Sequence, residues 1–237
     1  MTRRIALGLF CLQPLLAQTW TKNNDQTTSG TGSLAVTFTN NLHNPSVIVF
    51  ACKDVAAASS WQTPTDTAGH TFVDSGNGNL TFNSGSADLQ MWYALNTSTT
   101  SGNVITQPAS GTYRCVGVEF YVSSGTISAD KIASQTNQNT GTAGGQNVSS
   151  TATSALSTSA DLAIGVGAVI TGTMTAGTGF TAASHAMMEY QALSATTGLA
   201  ATWSDNTNSD PYAAMITTFK ATTSSSVARH RAMVIQQ

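Results

Sequence analysis

The stretch Tyr113-Arg114-Cys115-Val116-Gly117-Val118-Glu119-Phe120-Tyr121-Val122 decides the fold. Its character alternates with a period of two, the repeat of a β-strand rather than a helix. Arg114, Val116, Val118, Phe120 and Val122 share one largely apolar face. Tyr113, Cys115, Gly117, Glu119 and Tyr121 share the other. Two more stretches read the same way. In Asp161 to Ile170, Leu162, Ile164, Val166, Ala168 and Ile170 face a core, with Ala163, Gly165 and Gly167 behind them. In Asp88 to Asn96, Leu89, Met91, Tyr93 and Leu95 face in, and Asp88, Gln90, Trp92 and Asn96 face away.

Outward from these, short apolar or alternating runs recur between Gly, Ser, Asn and Asp clusters. Strands are expected near 33–39, 46–53, 70–73, 80–82, 88–96, 103–107, 113–122, 161–170, 186–193, 199–204 and 212–220. Helix signals are nearly absent, because Leu, Glu, Lys and Arg are scarce and no long 3.6-residue stripe appears. The expected fold is all-β, a two-sheet antiparallel sandwich of jelly-roll type. Residues 134–160, almost entirely Thr, Asn, Ser, Gln, Gly and Ala, read as an irregular excursion, and no repeat of fixed period stands out.

Charged residues make up 8% of the chain, against about 25% in ordinary soluble domains. Over residues 18–220, five bases face eleven acids, a formal charge of −6. A body of that sign offers no electrostatic footprint for nucleic acid or anionic lipid. Arg3 and Arg4 precede the short apolar run Ile5 to Leu12, and Ala17 stands before Gln18. This pattern predicts a secretory signal over 1–17, then one sandwich domain over 18–220. Residues 221–237 read as a linker with a C-terminal strand-like run, Arg229 to Gln237, through which an oligomer could form by strand addition. No stretch is long and apolar enough for a membrane span. Secretion or cell-surface display is the expected localisation. Cys52 and Cys115 both lie in strands, so an inter-strand disulfide and a pair of buried thiols are both compatible with the sequence.

The order of features is the basis of a resemblance. Ser33-Leu34-Ala35-Val36-Thr37-Phe38-Thr39 is followed by Asp66-Thr67-Ala68-Gly69-His70-Thr71-Phe72. Met91-Trp92-Tyr93-Ala94-Leu95-Asn96, Val118-Glu119-Phe120, Asp161-Leu162-Ala163-Ile164-Gly165 and Thr217-Thr218-Phe219-Lys220 come after. This order resembles secreted β-sandwich modules of environmental bacteria. The resemblance implies an exported sandwich and no chemistry.

A second sheet face bearing tyrosines, a tryptophan, a carboxylate and glycines suits sugar stacking. Trp92, Tyr113, Glu119 and Tyr121 are therefore the candidate ligand contacts, with Gly117, Gly165 and Gly167 leaving room. A covering loop over that face is the bland alternative. The chain has two glutamates, Glu119 and Glu189, the minimum for a glycoside hydrolase with paired carboxylates. Structural carboxylates are the preferred reading of both. His43, His70, His185 and His230 show no metal-ligand spacing. Asp205 to Asp210 reads as a turn, since it lacks the spacing of a calcium loop. No Gly-x-Ser-x-Gly and no phosphate-cradling glycine loop occur, and no cofactor is implied. The expectation is a non-catalytic binding or surface-assembly module, with polysaccharide or other surface proteins as partners. The alternatives are a hydrolase using Glu119 and Glu189, and a purely structural cell-surface or filament subunit.

Overall fold

The computed structural model describes residues 18–57, 60–108, 111–137, 146–207 and 210–222. The expected export segment 1–17 and the tail 223–237, with its proposed C-terminal strand, lie outside the described residues. The described residues are all-β, with 53% of them in strands. A single 3₁₀ turn, Asn83–Gly85, is the only helical element among the described residues.

Residues 21–121 supply β1 (Thr21–Thr31), β2 (Leu34–Thr37), β3 (Ser46–Asp54), β4 (Thr65–Asp66), β5 (Val73–Asp74), β6 (Leu80–Phe82), β7 (Ala87–Leu95), β8 (Val104–Gln107) and β9 (Thr112–Tyr121). Residues 126–222 supply β10 (Thr126–Asn137), β11 (Gln146–Ser149), β12 (Leu162–Val169), β13 (Met174–Ala176), β14 (Thr181–Ala182), β15 (Met188–Ala192), β16 (Thr202–Asp205) and β17 (Tyr212–Thr222). Every pairing is antiparallel.

Among the described residues four sheets form, where the sequence suggested two, and their order discloses a duplication. The first large sheet runs β1-β9-β3-β7-β5, and the second runs β10-β17-β12-β15-β14. The small sheets run β2-β8-β4 and β11-β16-β13. Position by position the two halves have one topology, with β6 as an addition to the first. Register carries the match to single residues. Val47 pairs with Phe120 and Leu95, as Leu162 pairs with Phe219 and Ala192. Val49 pairs with Tyr93 as Ile164 pairs with Tyr190.

The large sheets pack face to face, burying Val47, Val49, Met91, Val116 and Val118 against Leu162, Ile164, Val166, Met215 and Phe219 in one core. That interface has the reciprocity of a two-fold contact. Tyr93 meets Phe219 edge-on, with ring centroids 5.3 Å apart, and its counterpart Tyr190 meets Phe120 at 4.8 Å. Such aromatic pairs add about 0.5–1.5 kcal/mol each beyond the area they bury.

The outer face of each large sheet is roofed by the small sheet of its own half. Under the first roof, Ile48, Phe50, Cys52, Trp92, Tyr113 and Cys115 pack against Leu34, Val36, Phe38, Leu42 and Ile105. Cys52 and Cys115 sit directly opposite each other on β3 and β9 and form a disulfide. Under the second roof, Val148, Ala201 and Trp203 press on β12. The stretch expected to be irregular, 134–160, is partly ordered. β10 runs through it to Asn137, β11 lies within it, and Ser150, Thr153 and Leu156 are buried.

Candidate functional site

Face assignment within each strand follows the expected alternation, but the second faces are not open. Trp92 is 2% exposed, Tyr113 3% and Glu119 0%. Trp61 stands edge-on to both Trp92 and Tyr113 and helps to seal them. Of the four expected contacts, Tyr121 alone remains half-buried, stacked on His43 at 3.8 Å. The glycines make room for the roofs rather than for a ligand. A Cβ on Gly117 would stand 3.1 Å from Val36 Cγ1, one on Gly165 2.4 Å from Ala201 Cβ, and one on Gly167 3.1 Å from the Trp203 ring. The physical reason is area. An apolar second face that nothing covers would leave Phe50 and Trp92 in water, and a three-stranded flap removes them from it.

The two glutamates face opposite ways. Glu119 lies under the first roof and Glu189 under the second, so both large sheets stand between them. Neither shares a cleft with the other, as the acid and nucleophile of a glycosidase must. Each has a local task. Glu119 accepts from Asn23 Nδ2 at 2.7 Å, Asn24 Nδ2 at 2.6 Å and the His43 backbone N–H at 2.7 Å. These bonds pin the β1 bulge between Lys22 and Asn24 to the 40–43 turn. Glu189 accepts from the N–H groups of Gly177 and Thr202, at 3.0 and 2.9 Å. Burial pushes its carboxyl up to about 7, against those two donors.

A serine–histidine–aspartate chain exists that the sequence reading did not anticipate. His70 Nδ1 lies 2.6 Å from Asp66 Oδ2, and Nε2 lies 3.0 Å from Ser98 Oγ. The backbone N–H of Ser98 also donates to Nε2 at 3.0 Å. That N–H occupies the lone pair a general base would offer to the hydroxyl. Asp66 accepts in addition from the His70 N–H and from Asn103 Nδ2. The arrangement latches the 66–70 turn to the 96–103 loop.

A cleft of about 530 Å³ opens at one end of the interface between the halves. Its first-half wall carries Lys53 of β3 and Arg114 of β9, with Thr112 at the rim. Its second-half wall carries Thr173, just before β13, and His185 and Ala186, before β15. Lys53 and Arg114 are direct cross-strand partners. Like charges so placed repel, and among the described residues neither forms an ion pair with a carboxylate. The other three bases of residues 18–220 are all paired, Lys22 to Asp25, and Lys131 and Lys220 to Asp130. Burial, and then the charge of Arg114, lower Lys53 to about 8, with Asp205 offsetting part of this. Burial and the same two cations lower His185 to about 4, so its ring is neutral at physiological pH. Its Nδ1 accepts the Met187 N–H at 3.1 Å, which puts the ring proton on Nε2. Asp210, behind this wall, is occupied by the N–H groups of Thr171 and Gly172 and by the Thr171 and Thr207 hydroxyls.

Among the described residues, no group of three or more potential ligands could hold a metal ion, and no helix is long and apolar enough to cross a membrane. No family model and no curated protein matches the chain. Among solved structures, it is similar to the C-terminal domain of the Streptococcus agalactiae AgI/II polypeptide BspA. That likeness has 9% identity, covers 86% of this chain and 91% of that one, and has a TM-score of 0.21. At that level it carries no argument about fold or function.

Proposed function

We propose that the protein is an exported, non-catalytic binding module of the cell surface, which engages a polysaccharide or surface partner at the cleft between its two halves. One observation carries this reading. Both outer sheet faces are roofed, while the interface between the halves opens on Lys53, Arg114 and His185. The separation of Glu119 from Glu189 and the occupied lone pair of His70 support a binding role over hydrolysis. The strand order of each half fits two nested Greek keys, and the jelly-roll reading rests on that order.

Thr173→Trp tests the cleft, because Thr173 is exposed at its rim and a large ring there obstructs the opening. On a glycan array, wild type is expected to bind at least one glycan and Thr173→Trp to lose it with its melting temperature unchanged. Binding that survives the obstruction would move the site elsewhere. The structural-subunit alternative rests on a different feature. β1 and β10, 11 and 12 residues long, are the outermost strands of their sheets, and long edges template assembly. Absence of glycan binding, together with regular filaments or sheets in electron micrographs, would favour that alternative.

A further inference from the structure

The internal duplication provides a control that a single sandwich would not. The positions equivalent to Lys53 and Arg114 in the second half are Ala168 and Ala213, paired in the same register on β12 and β17. Both alanines are fully buried in the shared core. The fold therefore places small apolar residues at this cross-strand pair without difficulty. In the first half the same pair consists of two cations, side by side, half-buried and with no carboxylate in ion-pair contact among the described residues, Asp205 acting on Lys53 only through the field. The sequence has five bases over residues 18–220, so two of them converging here is a concentrated feature.

Packing does not account for this. Like charges directly opposite on adjacent strands destabilise a sheet, and a cation taken partly out of water costs more unless something pairs with it. What would satisfy both is an anion between them. The guanidinium offers a planar fork of N–H donors that matches two oxygens of one group, and the ammonium adds a compact charge. His185, neutral with its proton on Nε2, brings no competing charge. The surrounding formal charge of −6 over residues 18–220 repels densely charged polymers and favours an isolated anionic group on an otherwise neutral chain.

We propose that the cleft seats the oxyanion of an acidic polysaccharide, a carboxylate or sulfate carried on a sugar, between Lys53 and Arg114. This rests on the binding-module reading and names its ligand class. Two sources share the chemistry, a uronic acid and a sulfate ester.

The experiment is an NMR titration of the disulfide-bonded protein with glucuronate, glucose 6-sulfate and glucose, following the side-chain resonances of Lys53 and Arg114. At least one anionic sugar is expected to shift both and to bind about tenfold or more tighter than glucose. Which anion does so distinguishes carboxylate from sulfate. Arg114→Gln should weaken that binding about tenfold or more while Arg114→Lys retains most of it. Both variants are expected to fold, since alanine occupies the equivalent position of the other half. Glucose binding as tightly as the anions, lost in Thr173→Trp but indifferent to Arg114→Gln, would overturn the oxyanion and leave the cleft. No response of Lys53 or Arg114 to any of the three sugars would also overturn it.

Discussion

Lys53→Met should make the protein more stable. The ammonium has a usual value of 10.5 and is lowered to about 8 in the native state, chiefly by burial and then by Arg114. Each unit of such a difference is worth about 1.4 kcal/mol, so holding Lys53 charged at pH 7 costs the fold at most roughly 3.5 kcal/mol. Its remaining solvent contact screens part of this and brings the figure to about 2 kcal/mol. The pH window follows from the two values. The unfolded chain keeps the proton up to about 10.5, and the native chain releases it near 8. The native state therefore bears the whole penalty below pH 8, and the penalty fades as pH rises from 8 to 10.5. Methionine has the length of the stem and no charge. Its advantage should be about 2 kcal/mol at pH 7, or about 4–8 °C in melting temperature for a domain of this size, and should shrink toward zero by pH 10. Urea unfolding of both proteins at pH 7 and pH 10 measures this, and the difference between them cancels groups common to both, such as the Tyr93 phenol raised by burial. A methionine variant no more stable than wild type at pH 7, or an advantage unchanged at pH 10, would refute the reasoning. Function is the remaining reason to retain a residue that weakens the fold.

Three further outcomes are expected. Gly165→Ala should cost about 2–3 kcal/mol in chemical denaturation, because its Cβ would lie 2.4 Å from Ala201 Cβ and neither atom is the end of a flexible chain; a neutral result would mean the second roof is not seated on β12. Replacing Cys52 and Cys115 together by alanine should cost about 4 kcal/mol from loop-closure entropy over their 63-residue separation, and unfolding with and without reductant checks it. Glu189 has its folded value raised from 4.5 to about 7 by burial, so its contribution is complete below about pH 4.5 and is lost as pH rises through 7. Glu189→Gln should abolish the fall in stability between pH 5 and pH 8, because the fall from Asp161, which burial raises to about 6, is offset by His185, whose burial-lowered value of about 4 makes stability rise with pH up to 6.5; an unchanged slope would show that Glu189 is ionised throughout.

Legibility differed by strand. β3, β7, β9, β12 and β17 were readable because each has one face in the shared core and its alternation or apolar run survives in the sequence. β1 and β10 were not. TKNNDQTTSGT and TISADKIASQTN are outermost strands with few large apolar residues, and pairing, not patterning, makes them strands. The duplication was hidden for a related reason. Equivalent positions hold different residues that fill the same space jointly. Phe50 with Trp92 under the first roof corresponds to Gly165 with Glu189 under the second, where Ala201 and Trp203 supply the missing bulk. Tyr93 and Tyr190, and Phe120 and Phe219, are preserved because each bridges the two halves. The face of each strand was legible, but what lay over that face was not. The roofing strands are two to four residues long, too short to show a period.

The same geometry keeps a ligand off the outer sheet faces. A sandwich with one bare sheet face offers that face to a ligand, but here each large sheet is covered on both sides, by its counterpart within and by its own small sheet without. The cleft opens at the seam, where strand ends of one half meet loops of the other. A pseudo-two-fold seam has two ends built from equivalent positions. At one end those positions hold Ala168 and Ala213; at the other they hold Lys53 and Arg114. With one half able to satisfy the packing through alanine, the other is free to carry a destabilising pair of charges, and that is where a ligand can repay them.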